Sequence, residues 1–171
     1  ADIITEQCGY YKYKLEETKI NLYGEAADEK FYIGPVLLNV LVERTDKKFL
    51  FIFRNDKWDL PKGGVEKKEL IIEAAKREVT EETGVADLVV QNQLSETYHI
   101  FKKGKRFRLK KTYWFKMSTN YMGILKPQYE EGILKSEWIS KKEIDDLLID
   151  AFENIRIIVL EVLKRNSSRN K

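Results

Sequence analysis

The sequence predicts an α/β fold in which helices cover both faces of a mixed β-sheet. Its apolar residues follow the order of strands, one helix, further strands and two further helices, which is typical of this class. The chain has 171 residues, of which 43% are apolar, and this suits one domain with a hydrophobic core. It has no internal repeat and no linker rich in Pro, Gly or Ser, so we expect no second domain.

The amino-terminal half predicts a hairpin followed by two central strands. Residues 10–15 and 19–22 alternate polar and apolar side chains around a charged turn, which indicates a β-hairpin within an amino-terminal extension of residues 1–30. Residues 35–43 and 48–54 are dense in Val, Leu, Ile and Phe, as expected of strands that are covered on both faces. These two strands should lie at the centre of the sheet.

A helix is predicted over residues 70–83, where apolar side chains recur every three or four residues. This apolar stripe consists of Ile71, Ala74, Ala75 and Val79. Gly84 follows the stripe and suits the left-handed conformation that ends many helices.

The carboxyl-terminal half predicts four more strands and two helices. The strands are predicted over residues 86–91, 96–101, 106–117 and 133–139. The second and third of them form a hairpin through Lys103 and Gly104. Ser140 and Glu143 have the spacing of a capping box, which begins a helix. A final amphipathic helix is predicted from about Phe152 to Leu163.

Composition excludes several classes of protein. The 31 Lys and Arg residues against 28 Asp and Glu leave a formal charge of +3, which does not predict a specific nucleic-acid binder. Cys8 is the only cysteine, so the chain has no internal disulfide and no structural zinc cluster. The longest apolar stretch, residues 36–42, is too short to cross a membrane and no secretory leader is recognisable, so we expect a cytoplasmic protein.

The first predicted helix carries a cluster of acidic side chains beside a glycine turn. Glu78 and Glu82 are one helical turn apart and Glu81 lies between them, so the three carboxylates share one face. Like charges this close destabilise an isolated helix. A hard divalent cation removes the conflict, because Mg²⁺ prefers carboxylate oxygens and takes its other ligands from water and substrate phosphates. Arg77, four residues before Glu81, can form an ion pair with it.

This segment resembles the Nudix box, in which glycines, glutamates and an arginine recur at fixed spacing. The matching positions, without a departure, are Gly63, Glu69, Arg77, Glu78, Val79, Glu81, Glu82, Gly84 and Val85. The order of the flanking strands and helices also resembles the Nudix fold, an α/β/α sandwich, over residues 31–165. Residues 166–171 would then be a polar tail.

The resemblance implies a hydrolase that cleaves a phosphoanhydride bond of a nucleoside diphosphate linked to another group. The implied ligands of Mg²⁺ or Mn²⁺ are Glu78, Glu82, usually Glu81, and a backbone carbonyl of Lys62 or Gly63. Glu69 and Arg77 mainly support the architecture. The bound metal neutralises phosphate charge and lowers the pKa of a coordinated water, which agrees with this chemistry.

A general base must take the proton of the attacking water. In several relatives the base is a glutamate on a loop late in the domain, and Glu130 and Glu131, before Gly132, have that location. Glu82 or another carboxylate of the box could serve instead.

Basic residues around the box predict contacts with substrate phosphates. The run from Trp58 to Gly63 resembles dinucleoside polyphosphate and diphosphoinositol polyphosphate hydrolases, in which a basic loop residue faces phosphates. Lys62 is therefore a candidate contact, and Arg54, at the end of a nearby strand, is a weaker one.

A basic hairpin is a second candidate for phosphate contacts. Residues 102–111 hold seven cations that could attract a polyphosphate, although charged hairpin tips are often only solvated surface. Lys110 and Lys111 precede a strand that should cross the sheet near the site. Strand alternation would direct only one of the two towards it.

Two competing interpretations are weaker than a catalytic hydrolase of small-molecule phosphoanhydrides. A Nudix-fold module could sense a nucleotide without cleaving it, but such modules often lose box glutamates, and this chain keeps them all. Purely structural glutamates would leave the carboxylate crowding unexplained. The substrate prediction leans toward dinucleoside polyphosphates or similar polyphosphates, and the amino-terminal hairpin could mediate a homodimer.

Overall fold

The computed structural model describes residues 31–33, 37–104 and 106–168. The predicted amino-terminal hairpin lies outside these residues. Within them, nine strands form one mixed sheet between helices, and the predicted α/β architecture is confirmed. The strands are β1 (Phe31–Ile33), β2 (Leu37–Arg44), β3 (Phe49–Arg54), β4 (Lys57–Asp59), β5 (Lys62–Gly64), β6 (Val89–Gln93), β7 (Thr97–Lys103), β8 (Arg106–Thr119) and β9 (Lys135–Ile139). The helices are α1 (Ile71–Thr83), α2 (Lys141–Leu147) and α3 (Glu153–Ser168), with 3₁₀ helices at Tyr129–Glu131 and Leu148–Asp150.

The long strand β8 organises the sheet. One edge of β8 pairs in parallel with β1 and then with β2, where Leu37 lies opposite Thr112 and Arg44 opposite Thr119. Its other edge pairs antiparallel with β6 and β7. Strand β2 also pairs with β3 and β5, and β3 pairs in turn with β4 and β9.

Two hydrophobic clusters lie on opposite faces of the sheet, because successive side chains of a strand point to opposite sides. Leu38, Val40 and Val42 of β2 belong to the cluster under α1. Leu41 of the same strand belongs to the cluster formed with α2 and α3. The prediction that the two central strands are covered on both faces is therefore confirmed.

Helix α1 forms where the apolar stripe predicts it. It begins at Ile71, one residue later than expected, and buries Ala74, Ala75 and Val79 against the sheet. Gly84 adopts a φ of 75° and its N–H donates to the carbonyl of Thr80 at 2.8 Å, so it ends the helix as predicted.

Strands β6 and β9 begin at residues 89 and 135, whereas the sequence predicts starts at residues 86 and 133. Strand β6 begins at Val89 because Asp87 adopts a left-handed φ of 55°, which interrupts the extended backbone. Strand β9 begins at Lys135 because Gly132 has a φ of 74° and the next N–H, of Ile133, bonds back to Gln128. The hairpin at Gly104 and the capping box of Ser140 and Glu143 are confirmed.

Helix α3 continues through Ser168, so part of the predicted polar tail is helical. In the part of the chain that the structure describes, every helix is too short or too polar to span a bilayer.

Candidate active site

Three acidic residues of α1, Glu78, Glu81 and Glu82, line part of a cavity. Glu78 and Glu82 follow the docked residues Ala75 and Val79 at a spacing of three, so they lie at the border of the helix face that packs on the sheet. Glu78 and Glu81 are partly open to this cavity, whereas the Glu82 side chain is only 3% exposed. The sequence does not predict this burial, because acidic residues are rarely buried this far unless they are paired.

The glycine loop lies directly against this wall. Strand β5 pairs with β2, where Gly63 is opposite Leu38, and the carbonyl of Pro61 accepts the N–H of Val40 at 2.9 Å. A Cβ atom on Gly63 would stand 2.0 Å from Cδ of Glu78. The absence of a side chain at Gly63 is therefore what leaves room for the Glu78 carboxylate.

Glu82 is a buried carboxylate with two donors. Its Oε2 accepts the backbone N–H of Lys62 at 2.9 Å, and its Oε1 lies 3.5 Å from a guanidinium nitrogen of Arg54. Burial raises the pKa of Glu82 to about 7, although these two donors act in the opposite direction. Burial also raises the pKa of Glu78 above its usual range, with a smaller contribution from the charges of Glu81 and Glu131.

Arg77 connects the carboxylates to the glycine loop. Its guanidinium contacts Glu69 at 2.8 and 3.0 Å, Glu78 at 2.8 Å and the carbonyl of Gly64 at 3.0 Å. The predicted ion pair with Glu81 is also present, at 3.0 Å. The hydrogen bonds from Arg77 lower the pKa of Glu69 to about 2. Glu69 therefore anchors Arg77 from outside the cavity, since it is not among the residues that line it.

The cavity has a volume of about 520 Å³ and is lined by both acidic and basic side chains. The residues that line it are Leu37, Arg54, Lys62, Gly63, Gly64, Arg77, Glu78, Glu81, Glu82, Lys110, Gln128 and Glu131. We call Glu78, Glu81 and Glu82 the carboxylate wall, and Arg54, Lys62 and Lys110 the cationic wall. The two walls meet where Arg54 lies 3.5 Å from Glu82, and carboxylates beside cations suit an anionic ligand that binds together with a metal cation.

The cationic wall comes from three strands, at the ends of β3 and β5 and within β8. Arg54 and Lys62 share one buried counter-ion, Asp59, which is 0% exposed. Lys110 is half-buried, and this burial, followed by the charges of Lys62 and Arg54, lowers its pKa. Among the described residues Lys110 makes no ion pair, so the wall carries more positive than negative charge.

Neighbouring candidates in the sequence separate in the structure. Lys110 lines the cavity, whereas Lys111 pairs with Glu96 at 2.9 Å and lies over the ring of Tyr113. This agrees with the alternation expected of a strand.

The two late glutamates separate in the same way. Glu131 lines the cavity and Glu130 does not, although both belong to one 3₁₀ helix. That segment is tied to α1 because the N–H of Gln128 donates to the backbone carbonyl of Glu82 at 3.1 Å.

The carboxylate wall fits a hard metal cation in chemistry, but its side chains pair with Arg77 instead. In the described ranges, no three His, Cys, Asp or Glu side chains converge closely enough to hold a metal. One guanidinium nitrogen of Arg77 instead contacts both Glu78 and Glu81, at 2.8 and 3.0 Å. Oxygen donors beside a glycine cradle are nevertheless what Mg²⁺ requires, with water and phosphate as the remaining ligands. Metal binding would therefore exchange the guanidinium for the cation at these two carboxylates.

The sequence predicts no role for two polar residues at the site, Asp59 and Gln128. Asp59 is an acid between Trp58 and Leu60, and its spacing of three residues from Lys62 is the only local signal for a pair. Gln128 lies 46 positions after Glu82, and no local pattern connects the two.

The fold and the site together define a class of protein: an α/β/α domain whose cavity suits a phosphorylated ligand and a metal cation. The NUDIX domain family matches residues 35–161, and the chain belongs to this family. It is thus a Nudix hydrolase, an enzyme that acts on pyrophosphate bonds. Nudix hydrolases generally use divalent metals and small-molecule phosphate substrates.

Solved structures with the same fold are distant in sequence. The MutT protein of Methanosarcina mazei is 21% identical, with a TM-score of 0.57 over 82% of this chain and 97% of that one. An Ap4A hydrolase of C. elegans is 15% identical, with a TM-score of 0.56 over 79% and 99%. The NUDIX domain of Shewanella oneidensis NrtR, solved with ADP ribose, is 15% identical, with a TM-score of 0.59 over 79% and 90%. These similarities establish the fold alone.

Proposed function

We propose that this protein is a metal-dependent pyrophosphohydrolase that cleaves a phosphoanhydride bond of a nucleoside diphosphate linked to another group. The preferred class is dinucleoside polyphosphates. The observation that carries this proposal is the cavity, which the carboxylate wall of α1 lines together with Arg54, Lys62 and Lys110. A phosphate chain needs both walls, because cations bind its non-bridging oxygens and metal-binding carboxylates act at the bond that breaks.

We assign Glu78, Glu81, Glu82 and the backbone carbonyl of Gly63 as ligands of Mg²⁺ or Mn²⁺. When bound, the cation neutralises phosphate charge and lowers the pKa of water. Arg77 keeps two of these carboxylates in place before the cation arrives, since it contacts Glu78 and Glu81 and is anchored outside the cavity.

Glu131 is the proposed general base. It is an exposed carboxylate on the rim of the cavity, and its charge acts on Glu78 across that rim. A base at this position can accept the proton of a water held beside the carboxylate wall and release it to solvent. Glu130 belongs to the same 3₁₀ helix but does not line the cavity, and Glu82 is assigned as a metal ligand, so both are weaker candidates.

The preference for a longer phosphate chain rests on the cationic wall. Relatives of similar fold act on Ap4A or bind ADP ribose, so the fold does not choose between these ligands. Lys110 is half-buried and makes no ion pair with the described residues. The free-energy cost of burying its charge is offset when a phosphate binds it. Three cations in the same cavity as the proposed metal ligands offer contacts to phosphates beyond the two of a pyrophosphate.

The proposal is tested by the release of nucleotide from a panel of substrates in Mg²⁺. The panel contains dinucleoside polyphosphates, ADP-ribose, nucleoside triphosphates and diphosphoinositol phosphates. We expect dinucleoside polyphosphates to give the highest kcat/KM, and Glu82→Gln to lower kcat by about 100-fold or more. The matched control is Glu73→Gln, because Glu73 lies on the same helix but is exposed and outside the cavity.

Two results would contradict the proposal. A clear preference for ADP-ribose would show that dinucleoside polyphosphates are not the preferred substrate class. If the native protein and Glu82→Gln both bind a nucleotide and neither releases product in Mg²⁺ or Mn²⁺, the protein acts as a sensing module.

A further inference from the structure

Two members of the cationic wall, Lys62 and Arg54, contact the buried carboxylate of Asp59. Asp59 ends β4 and its side chain is completely buried, which is costly for a charged group unless it is paired. Its Oδ2 contacts the ammonium group of Lys62 and lies 3.7 Å from Nε of Arg54, while its Oδ1 accepts the backbone N–H of Leu60 at 2.8 Å.

The two cations that Asp59 contacts belong to the lining of the cavity. Leu60 is fully buried in the core, so the hydrogen bond to its N–H fixes the carboxylate on a rigid support. Lys62 and Arg54 both line the cavity and keep 27% and 18% of their side chains exposed. A rigid buried acid therefore holds two cations whose exposed parts face the ligand space.

Lys62 depends on Asp59 more than Arg54 does. The ammonium of Lys62 is in direct contact with Asp59, which is its one ion-pair partner among the described residues, and it lies 5.4 Å from the centre of the Phe152 ring. Arg54 has a second acidic neighbour, Glu82, at 3.5 Å. Loss of Asp59 would thus free the Lys62 side chain first.

We propose that Asp59 is a positioning residue for substrate phosphate, because it holds the Lys62 ammonium at the cationic wall before the ligand binds. This inference rests on the proposed function, since it takes a phosphate chain as the ligand. A lysine that is already held loses less side-chain freedom when it binds a phosphate, which strengthens binding without altering the chemical step.

The test is a double-mutant cycle on Asp59→Asn and Lys62→Met. The dissociation constant of inorganic tripolyphosphate is measured calorimetrically for the native chain, both single variants and the double variant, in EDTA so that no turnover is needed. We expect Asp59→Asn to weaken binding by about three- to tenfold in the native background, and by less than about twofold in the Lys62→Met background. In Mg²⁺, Asp59→Asn should raise KM by a similar factor and leave kcat within about twofold.

Asp46→Asn is the matched control, because Asp46 pairs with Arg44 on the surface, outside the cavity. Equal losses of binding in both backgrounds would show that Asp59 acts independently of Lys62, and unchanged or tighter binding would show that it does not position Lys62. Either result overturns the inference while substrate turnover still tests the proposed function.

Asp59→Asn removes the ion-pair partner of the partly buried Lys62, so the folding of this variant must be checked separately. If this variant does not fold, Asp59→Asn/Lys62→Met removes both partners and keeps the inference testable. Its affinity for tripolyphosphate should equal that of Lys62→Met within about twofold, and a further loss of about tenfold would overturn the inference.

Discussion

The backbone N–H of Lys62 donates to Oε2 of Glu82 at 2.9 Å, and this bond joins the glycine loop to the carboxylate wall. The side chain of the same lysine belongs to the cationic wall. One residue therefore connects the two halves of the cavity, through its main chain on one side and its ammonium on the other. Because a main-chain bond survives side-chain substitution, the two contributions of Lys62 can be separated experimentally.

Glu82→Gln should stabilise the metal-free protein at alkaline pH. Burial raises the pKa of Glu82 to about 7 from an ordinary value of 4.5, so the folded state binds this proton more tightly than the unfolded state does. The stability contributed by this carboxyl is complete below pH 4.5 and is lost as the pH rises through 7. Glutamine avoids the loss, and we expect a gain on the order of 1–3 kcal/mol at about pH 8 and little change at about pH 4.

Urea unfolding in EDTA across this pH range measures the effect of Glu82→Gln. Glu73→Gln, on the exposed side of the same helix, should show no such pH dependence. A constant difference between native protein and Glu82→Gln at all pH values would contradict the proposed cause.

Gly63→Ala should impair metal binding more than stability. The added Cβ would lie 2.0 Å from Cδ of Glu78, and the end of that flexible side chain can move aside. We expect the free energy of unfolding to fall by less than about 1 kcal/mol, while the Mg²⁺ concentration for half-maximal activity rises by about tenfold or more.

Gly64→Ala is the matched control for this substitution. A Cβ on Gly64 meets no atom within 4 Å, so its Mg²⁺ requirement should stay within about threefold of native. If both alanine variants have the same Mg²⁺ requirement, the close contact of Gly63 with Glu78 has no role in binding the metal.

The sequence predicts the carboxylate wall well because its geometry is local. Helical periodicity places Glu78, Glu81 and Glu82 on one face, and the apolar stripe orients that face in the folded chain. The burial of Glu82 was not predictable, because it depends on the β4–β5 loop and on Gln128, which are distant in sequence.

The cationic wall shows the same division between local and tertiary information. Strand alternation predicts that Lys110 and Lys111 separate, but only the pairing of β8 with β7 and β2 decides which one faces the cavity. The role of Asp59 could not be predicted from the sequence, because it depends on the turn that brings Arg54 and Lys62 to this carboxylate.

Glu69→Gln should reduce stability at neutral pH and have a smaller effect in acid. Hydrogen bonds from Arg77 lower the pKa of Glu69 to about 2, below its ordinary value of 4.5. The stability contributed by the charged carboxylate is therefore present above pH 4.5 and is lost as the pH falls through 2. Urea unfolding at neutral and acidic pH should show a difference from the native protein that shrinks with acidity. A difference that grows in acid would exclude this ion pair as its source.

Lys110→Met should weaken substrate binding without loss of stability. Lys110 is half-buried and unpaired within the described residues, so methionine removes a desolvated charge and a phosphate contact together. We expect KM for a dinucleoside polyphosphate to rise by about tenfold, with a melting temperature equal to or above that of the native protein. Lys111→Met, which disrupts the ion pair with Glu96, should leave KM within about twofold. Equal KM values for Lys110→Met and Lys111→Met would contradict the proposal that Lys110 binds a substrate phosphate.

Glu131→Gln should lower kcat because glutamine cannot accept the proton of the attacking water. Loss of a general base reduces the chemical step by about 10²–10⁴-fold, and KM should change little because Glu131 does not belong to the cationic wall. Glu130→Gln is the matched control, since Glu130 lies in the same 3₁₀ helix and outside the cavity lining. If Glu131→Gln retains native kcat, the base must come from the carboxylate wall, and Glu82 becomes the next residue to test.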